Sequence, residues 1–414
     1  MTVAIRSLGK RAKYSMIITA LVLQEPSIRL WGLGSKERLC RQLREIGGID
    51  WADDAGSLPT RGWLLLLDGR YLFEIRTLQG LLQHPGSVLL SPADHAPAAA
   101  LVPAEQLQPV LEYLEQPASR SPPQGLTKLY PRQIVAFSEA LRHAREPLLE
   151  PIDAVRRDEL ENLLYGNAYR GVTDLVTKFF WPRPARRLVH WCAALGLSPN
   201  TVTTIGLLLV IAACYLFAGG HYLAGLAAGW LMTLLDTVDG KLARVTIQSS
   251  RFGHLYDHLI DLLHPPFWYV FWGMSLGSLQ PVWGLDFPAM CWLLVSAYVA
   301  GRLVEGLFLL LGDCSIFTWR PFDAWFRLIT ARRNPCLIIL TLSLLLQRPD
   351  WGFVAVVGWS ALSTVILAVR LLQGLLARVR RGPLGSWLSE QGAASGPHAR
   401  SFRLFGGTRG AYGK

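Results

Sequence analysis

Apolar positions fall into two regimes along the chain. Up to about residue 115 they form runs of four to eight residues bounded by Gly, Pro and Asp; after Asn200 the runs lengthen several-fold. The short runs Met16–Leu23, Ile28–Trp31, Gly62–Leu67, Ser87–Leu90 and Ala98–Val102 read as buried strands. Between them, Lys36–Ile46 and Leu72–Leu82 have helical spacing. The alternation predicts an α/β domain with a largely parallel sheet. Arg6, Lys10, Arg11 and Lys13 precede the first run, which is short and leads into Gln24-Glu25-Pro26 without a small-residue cleavage site. It is therefore read as a strand and not as a signal peptide.

The Pro- and Ser-rich stretch 116–125 reads as a loop or linker, followed by helical spacing over Arg132–Arg145 and Asp153–Leu164. In Arg170–Leu195, Phe179, Phe180 and Trp181 alternate with Lys178, Arg183, Arg186 and Arg187, with Leu188, Trp191 and Leu195 behind them, and acidic partners are scarce. That composition predicts an amphipathic helix lying in a membrane interface. Ser198-Pro199-Asn200 then caps the first of six expected spans: Val202–Phe217, Tyr222–Leu242, Ile260–Leu276, Met290–Leu311, Cys336–Leu346 and Phe353–Leu372. Arginines gather in alternate loops (Arg183–Arg187, Arg244 with Arg251, Arg320–Arg333, Arg378–Arg381), while the loops near Gly219, Ser278 and Asp350 hold almost none beyond Arg348. The positive-inside rule places both termini and the stretch Asp236–Asp261 in the cytoplasm, and the expected location is a cell inner membrane. The expected organisation is an α/β domain over 1–115, a linker with helices over 116–168, an all-α six-helix transmembrane bundle with its juxtamembrane helix over 169–381, and a disordered tail over 382–414.

Composition sharpens this picture. Hydrophobic residues make up 51% and charged ones 17%, with fifteen tryptophans, which suits a membrane protein. The net charge of +11 clusters at expected membrane ends, so it reads as topology and anionic-lipid contact; no motif supports nucleic-acid binding. The six cysteines are scattered without CxxC spacing, and imply neither a disulfide framework nor a zinc site.

The chemistry concentrates between Asp236 and Asp261. Asp236 and Asp239 are three apart, and Asp257 and Asp261 four apart, so on helices each pair shares a face. Each carboxylate in a membrane helix costs about 2.5–3.5 kcal/mol on insertion scales, so four together need a compensating partner. An all-oxygen donor set suits hard divalent cations. Two adjacent ions are what phosphoryl transfer uses to clamp attacking and leaving oxygens. The competing reading pairs the aspartates with Lys241, Arg244 and Arg251; His254, His258 and His264 are read as loop polarity or packing.

The pattern Asp236-x-x-Asp239-Gly240-x-x-Ala243-Arg244, eight residues, Gly253-x-x-x-Asp257-x-x-x-Asp261 resembles at every fixed position the signature of the CDP-alcohol phosphotransferase family. The resemblance implies transfer of a phospho-alcohol group from a CDP-alcohol donor to a hydroxyl acceptor, with release of CMP. It implies two Mg²⁺ or Mn²⁺ ions on Asp236, Asp239, Asp257 and Asp261, with Asp261 also as general base. Gly240, Ala243, Arg244 and Gly253 would face the nucleotide, as would Asn200 and Thr203, which match the family's Pro-Asn-x-x-Thr. The family is often dimeric. Arg302 inside the fourth span, with Arg332 and Arg333 opening the fifth, are candidates for binding a phosphorylated acceptor. The rival classes are a cation transporter using the aspartates as an ion path, and a non-catalytic scaffold.

Residues 15–115 resemble the nucleotidyltransferase-like domain that some family members carry, as in the archaeal bifunctional inositol-phosphate cytidylyltransferase with di-myo-inositol phosphate phosphate synthase. The resemblance would make Asp68, at a strand end, a metal ligand and Gly32-Leu-Gly34-Ser-Lys36 a remnant of a nucleotide loop. Here Cys40-Arg41-Gln42-Leu43 stands where that family continues to a Pro-Lys pair, so the domain is read as degenerate.

Overall fold

The computed structural model describes residues 17–119, 122–134, 147–277, 279–312, 314–389 and 396–407. Its first part is an α/β layer. The order is β1 (Ile18–Leu23), α1 (Ser35–Ile46), β2 (Ile49–Ala52), β3 (Trp63–Asp68), β4 (Tyr71–Phe73), α2 (Ile75–Leu81), β5 (Ser87–Leu90), β6 (Pro97–Pro103), α3 (Leu107–Glu115), β7 (Thr127–Leu129) and β8 (Leu149–Pro151). Six strands form one sheet in the order β2-β1-β3-β6-β5-β7, and β4 pairs with β8 apart from it.

Successive residues of a strand face opposite ways, and here both faces are covered. Ala20, Leu65, Leu67, Leu89 and Leu101 pack under α1 and α2, whereas Leu21, Leu64, Leu66, Val88 and Val102 pack under α3. Burial on both faces explains the unbroken leucine run 64–67.

The sheet is largely parallel with one reversed strand: β5 also pairs parallel with β7, so five of its six strands run one way and β6 alone runs the other. β1 runs parallel to β2 and β3, but β6 is antiparallel to both β3 and β5. Residues 91–96 turn directly from β5 into β6, closed by Ser91 N–H donating to Ala96 O at 2.9 Å. A connection that short can only return antiparallel. Ile28–Trp31 is no strand but a tight turn with an isolated Leu30–Leu33 bridge. Leu72–Leu82 divides into β4 and α2. Of the expected Arg132–Arg145 helix, one turn over Pro131–Ile134 is seen, and 135–145 lie outside the described residues, as does Met16.

Helix α4 (Arg157–Asn167) leads to a π turn over Val176–Phe180 and to α5 (Pro182–Ala194). As the alternation of aromatic and basic residues predicts, Phe179, Phe180 and Trp191 are exposed, while Ala185 and Val189 are buried against the next helices; Lys178 departs from it, being buried with its Nζ donating to Gly171 O at 2.8 Å. These are α6 (Pro199–Ala218), α7 (Tyr222–Val245), α8 (Arg251–Met274), α9 (Phe287–Leu311), α10 (Pro321–Ile329), α11 (Arg333–Leu345) and α12 (Pro349–Arg381).

Three of them, α6, α9 and α12, are long and apolar enough to cross a membrane; α10 and α11, bent by 45°, qualify together as a fourth. The remaining pair, α7 and α8, carries the aspartates. Large apolar side chains such as Leu208, Tyr215, Trp292, Leu303, Leu362 and Val369 point outward, as suits contact with lipid. Inside, Trp268 Nε1 donates to Val210 O at 3.1 Å and Trp272 Nε1 to Pro349 O at 2.9 Å, so neither buried indole lacks an acceptor. Gly273 admits the Phe353 ring within 2.7 Å of where a Cβ would sit, the close approach that small residues allow between membrane helices.

The expectation of a disordered tail does not hold over its described parts. Leu384, Trp387, Leu388 and Phe405 are buried against Phe308, Phe317 and Trp319, and Trp325 Nε1 donates to Ser401 Oγ at 3.0 Å. Four large apolar anchors outweigh a Gly-, Ser- and Arg-rich background.

Candidate functional site

The site lies where α7 and α8 face each other. On α7, Asp236, Asp239, Gly240, Ala243 and Arg244 share one face by their spacing. On α8 the first turn is capped by Ser250 Oγ, which accepts from Gly253 N–H at 2.9 Å. The helix thus starts early enough to turn Asp257 and Asp261 toward α7. One carboxylate oxygen each from Asp236, Asp257 and Asp261 lies within 4.8 Å of the other two. Among the described residues this is the one such grouping of Asp, Glu, His or Cys.

Asp239 stands beside that trio and is not part of it. It is buried, and its Oδ2 accepts from Thr203 Oγ1 at 2.7 Å, while Oδ1 has no hydrogen-bond partner among the described residues. A buried carboxylate oxygen without a donor is costly unless a cation completes it. The oxygen-only set suits a hard divalent ion.

Asn200 and Gly253 meet at this end of the bundle. A Cβ on Gly253 would collide with Asn200 Oδ1 and sit 2.9 Å from Ser250 Oγ, so this glycine lets the starts of α6 and α8 touch. At Gly240 a Cβ would meet Arg244 Nη2 at 3.1 Å, because the guanidinium folds back over the glycine.

Arg333 opens α11 and reaches into the trio. Its Nη2 lies 2.6 Å from Asp236 Oδ2 and its Nη1 2.5 Å from Asp261 Oδ1. Sequence reasoning placed it with the acceptor; the structure makes it the counter-ion of the aspartates. Next to it, Arg332 pairs with Glu305, which also pairs with Arg302 at 3.4 Å. Arg327 and Arg332 both stack on Phe317, at 5.3 and 5.5 Å from the ring centre. Glu305 thus answers both Arg302 and Arg332, and Arg327 shares the Phe317 ring with Arg332. Glu305 and Arg327 were missed, although an acid one turn after an intramembrane arginine is a readable signal.

A second missed pair is Asp174 and Asn334. Asn334 Nδ2 donates to Asp174 Oδ1 at 2.9 Å, and Thr177 supplies its N–H at 3.0 Å and its hydroxyl at 2.8 Å. Burial pushes the Asp174 carboxyl up, but Arg327 and these hydrogen bonds outweigh it and hold the group below the ordinary carboxylate range.

The α/β domain carries less chemistry than its sequence suggests. Asp68 does end β3, but it is 1% exposed and held by Arg70, whose Nη2 lies 2.6 Å from Oδ2 and whose Nε lies 3.0 Å from both oxygens. Among the described residues Asp68 belongs to no grouping of three or more Asp, Glu, His or Cys donor atoms, and Arg70 occupies both of its carboxylate oxygens. The supposed nucleotide loop is also occupied. Glu25 Oε1 accepts from Lys36 N–H at 3.1 Å, taking the start of α1 where a phosphate would bind.

Residues 196–388, which include every helix of the aspartate site, match the family model for CDP-alcohol phosphatidyltransferase. The chain is 39% identical over 100 residues to an archaetidylinositol phosphate synthase from Pyrococcus horikoshii, covering 23% of this chain and 50% of that protein. It is 33% identical over 129 residues to cholinephosphotransferase 1 from Danio rerio, covering 28% and 32%. A phosphatidylinositol phosphate synthase from Mycobacteroides abscessus is 40% identical over 67 residues, covering 16% and 30%. The chain thus spans 50% of the length of the first of these relatives and 32% of the second. Residues 196–388 thus carry a CDP-alcohol phosphatidyltransferase family-model domain.

Proposed function

We propose that the chain is an integral membrane phosphotransferase of lipid or polar-headgroup synthesis, moving a phospho-alcohol group from a CDP-alcohol to a hydroxyl acceptor. The observation that carries this reading is the convergence of Asp236, Asp257 and Asp261 within 4.8 Å, inside the signature motif. Asp236, Asp239, Asp257 and Asp261 would hold two divalent ions, Mg²⁺ or Mn²⁺. Bound there, the ions would neutralise the donor's pyrophosphate and the departing CMP.

The protein's own residues supply the rest. Asp261 is the more open member of the Arg333-paired couple, its side chain 37% exposed against 20% for Asp236, so an acceptor hydroxyl can approach it. It takes the hydroxyl proton as the acceptor oxygen bonds to phosphorus, and the bond from that phosphorus to the CMP oxygen breaks. Arg244, on the Asp236 face of α7, would pair a donor phosphate oxygen, with Gly240 and Ala243 leaving space beside it. Asn200 and Thr203 border the same end and would complete the nucleotide site.

Arg302 and Arg332 share the single carboxylate of Glu305, which supports an acceptor bearing phosphate. The inositol-phosphate names of two relatives agree with an acceptor or product of that class. We read α6, α7, α8, α9, α11 and α12 as six membrane crossings, with the arginine-bearing ends and the aspartates facing the cytoplasm of a cell inner membrane.

The test is CMP release from purified protein with a panel of CDP-alcohols, with and without Mg²⁺. Metal-dependent CMP from one donor, falling about 10²–10⁴-fold in Asp261→Asn, is the expected result. Equal release by the variant would remove the general base from the reading, and no release from any donor with acceptors present would remove the activity.

A further inference from the structure

The family's chemistry is confined to the helical part, which leaves the α/β domain without an evident task. Its contacts with the signature motif suggest one. Helix α7 carries Asp236 and Asp239 and ends at Val245, and only residues 246–250 join it to α8 and the second aspartate pair. The last carbonyls of a helix lack intrahelical partners. Here two of the acceptors that follow are satisfied from far away. Arg38 Nη1 donates to Val245 O at 2.9 Å, and Arg41 Nη1 donates to Thr246 O at 2.7 Å. Both arginines lie on α1 of the α/β domain, and a cation at a helix C-terminus also meets the favourable end of the dipole. Glu45 follows on the same face of α1, with the Ser249 hydroxyl beside its carboxyl. Positions 38, 41 and 45 form one helical stripe, and in order they meet residues 245, 246 and 249 of the link.

The stripe is held from behind. Leu39 and Leu43 bury the other side of α1 under the sheet, and Gln42 Nε2 donates to Phe73 O at 2.9 Å. Arg38 is 3% exposed, and its Nη2 donates to Leu30 O at 2.8 Å, tying the 30–33 turn to the same point. From that turn Trp31 inserts among Tyr165, Val238, Leu242 and Val245, with its N–H and indole bonded to Glu161 at 2.9 and 3.1 Å. Trp31 adopts this pose at φ +51°, in a region costly for a bulky residue, so the surrounding contacts must hold it there. The link has the same character: Ile247 sits at φ +51°, the left-handed region that a β-branched residue avoids. A link strained in this way keeps its shape only while something outside it holds both ends.

We propose that Arg38 and Arg41 are positioning residues for the transferase site: they clamp the end of α7 and the link to α8, and so set the separation of the two aspartate pairs. The glycine turn 32–34, resembling a nucleotide loop by sequence, is on this view the peg beside the clamp. The proposal rests on the reading of the aspartates as the metal site, and one of its measurements is independent of that reading.

Full-length protein in nanodiscs would be compared with Arg38→Gln/Arg41→Gln and with the Arg41→Gln and Arg41→Lys single variants. Mn²⁺ binding, followed by the resonance of the free ion, needs no turnover. The double variant is expected to bind Mn²⁺ about ten-fold more weakly, as loss of outer supports typically costs. Its kcat should fall more than its donor KM changes, and deuterium uptake should rise over 245–253 while β3 stays protected. Arg41→Lys should recover most of the affinity. Unchanged Mn²⁺ affinity together with unchanged uptake over the link would overturn the clamp. Should β3 lose protection in the double variant, Arg41→Gln decides alone, since Arg38 remains in place, and its wild-type behaviour in both measurements would sink the idea. Wild-type protein that binds no Mn²⁺ would refute the metal reading, and the exchange comparison would still decide the clamp.

Discussion

Replacing Arg333 by Gln tests the electrostatic design of the site most directly. Arg333 is the cation that the structure places between Asp236 and Asp261, at 2.6 and 2.5 Å, and its side chain is 13% exposed. Removing one partner of a buried ion pair costs about 3–5 kcal/mol, because the other charge is left behind. Asp261 is more than a third exposed, so solvent screens its share, and about 2–4 kcal/mol is a fairer figure. For a domain of this size that is a fall of roughly 4–16 °C in Tm. The loss should appear in EDTA and shrink in millimolar Mg²⁺ or Mn²⁺, since a divalent ion supplies the missing charge. Arg333 also competes for the oxygens an ion would take. The variant should therefore show a larger metal-induced rise in Tm than wild type, following the usual dependence on ligand concentration over Kd. The assay is thermal unfolding in nanodiscs across a metal titration. An equal fall in Tm with and without metal would refute the reasoning, because Arg333 would then act by packing alone.

Two further outcomes follow from neighbouring groups. Asp174 has a carboxyl held below its ordinary range, so it stabilises the folded state fully above about pH 4 and loses that contribution as pH falls through its lowered value. Asp174→Asn should therefore cost stability at neutral pH and flatten the acid limb of a Tm-against-pH curve; an unaltered limb would contradict the assignment. Arg332→Ala removes one of the two guanidiniums paired with Glu305 and should raise KM for a phosphorylated acceptor about ten-fold or more, leaving donor KM nearly unchanged, as steady-state kinetics would show. An equal rise in both would place Arg332 on the donor side or in general support.

Much of the candidate site was legible in the order of residues. Spacings of three and four put the aspartates on helix faces, and the long apolar runs located the helices that carry them. These are local properties, set by the period of the helix, so the chain states them outright. The α/β class was legible for the same reason, and the antiparallel β6 could have been read from the short 91–96 connection. Asp68 likewise had Arg70 two residues away, an available partner close by in sequence.

Other features were decided only by packing. Among 41 lysines and arginines, nothing in the order of residues selects Arg333 for the aspartates, Arg332 for Glu305, or Arg38 and Arg41 for the end of α7. The last two partners lie 207 and 205 residues away. A long basic side chain can pair with any acid or carbonyl it reaches, so its choice depends on which helix faces meet. The sequence by itself determined the chemistry the chain can offer, because residue type and helical period are local. The tertiary structure alone decided which charge answers which, because burial makes an unpaired group expensive and packing limits the partners within reach.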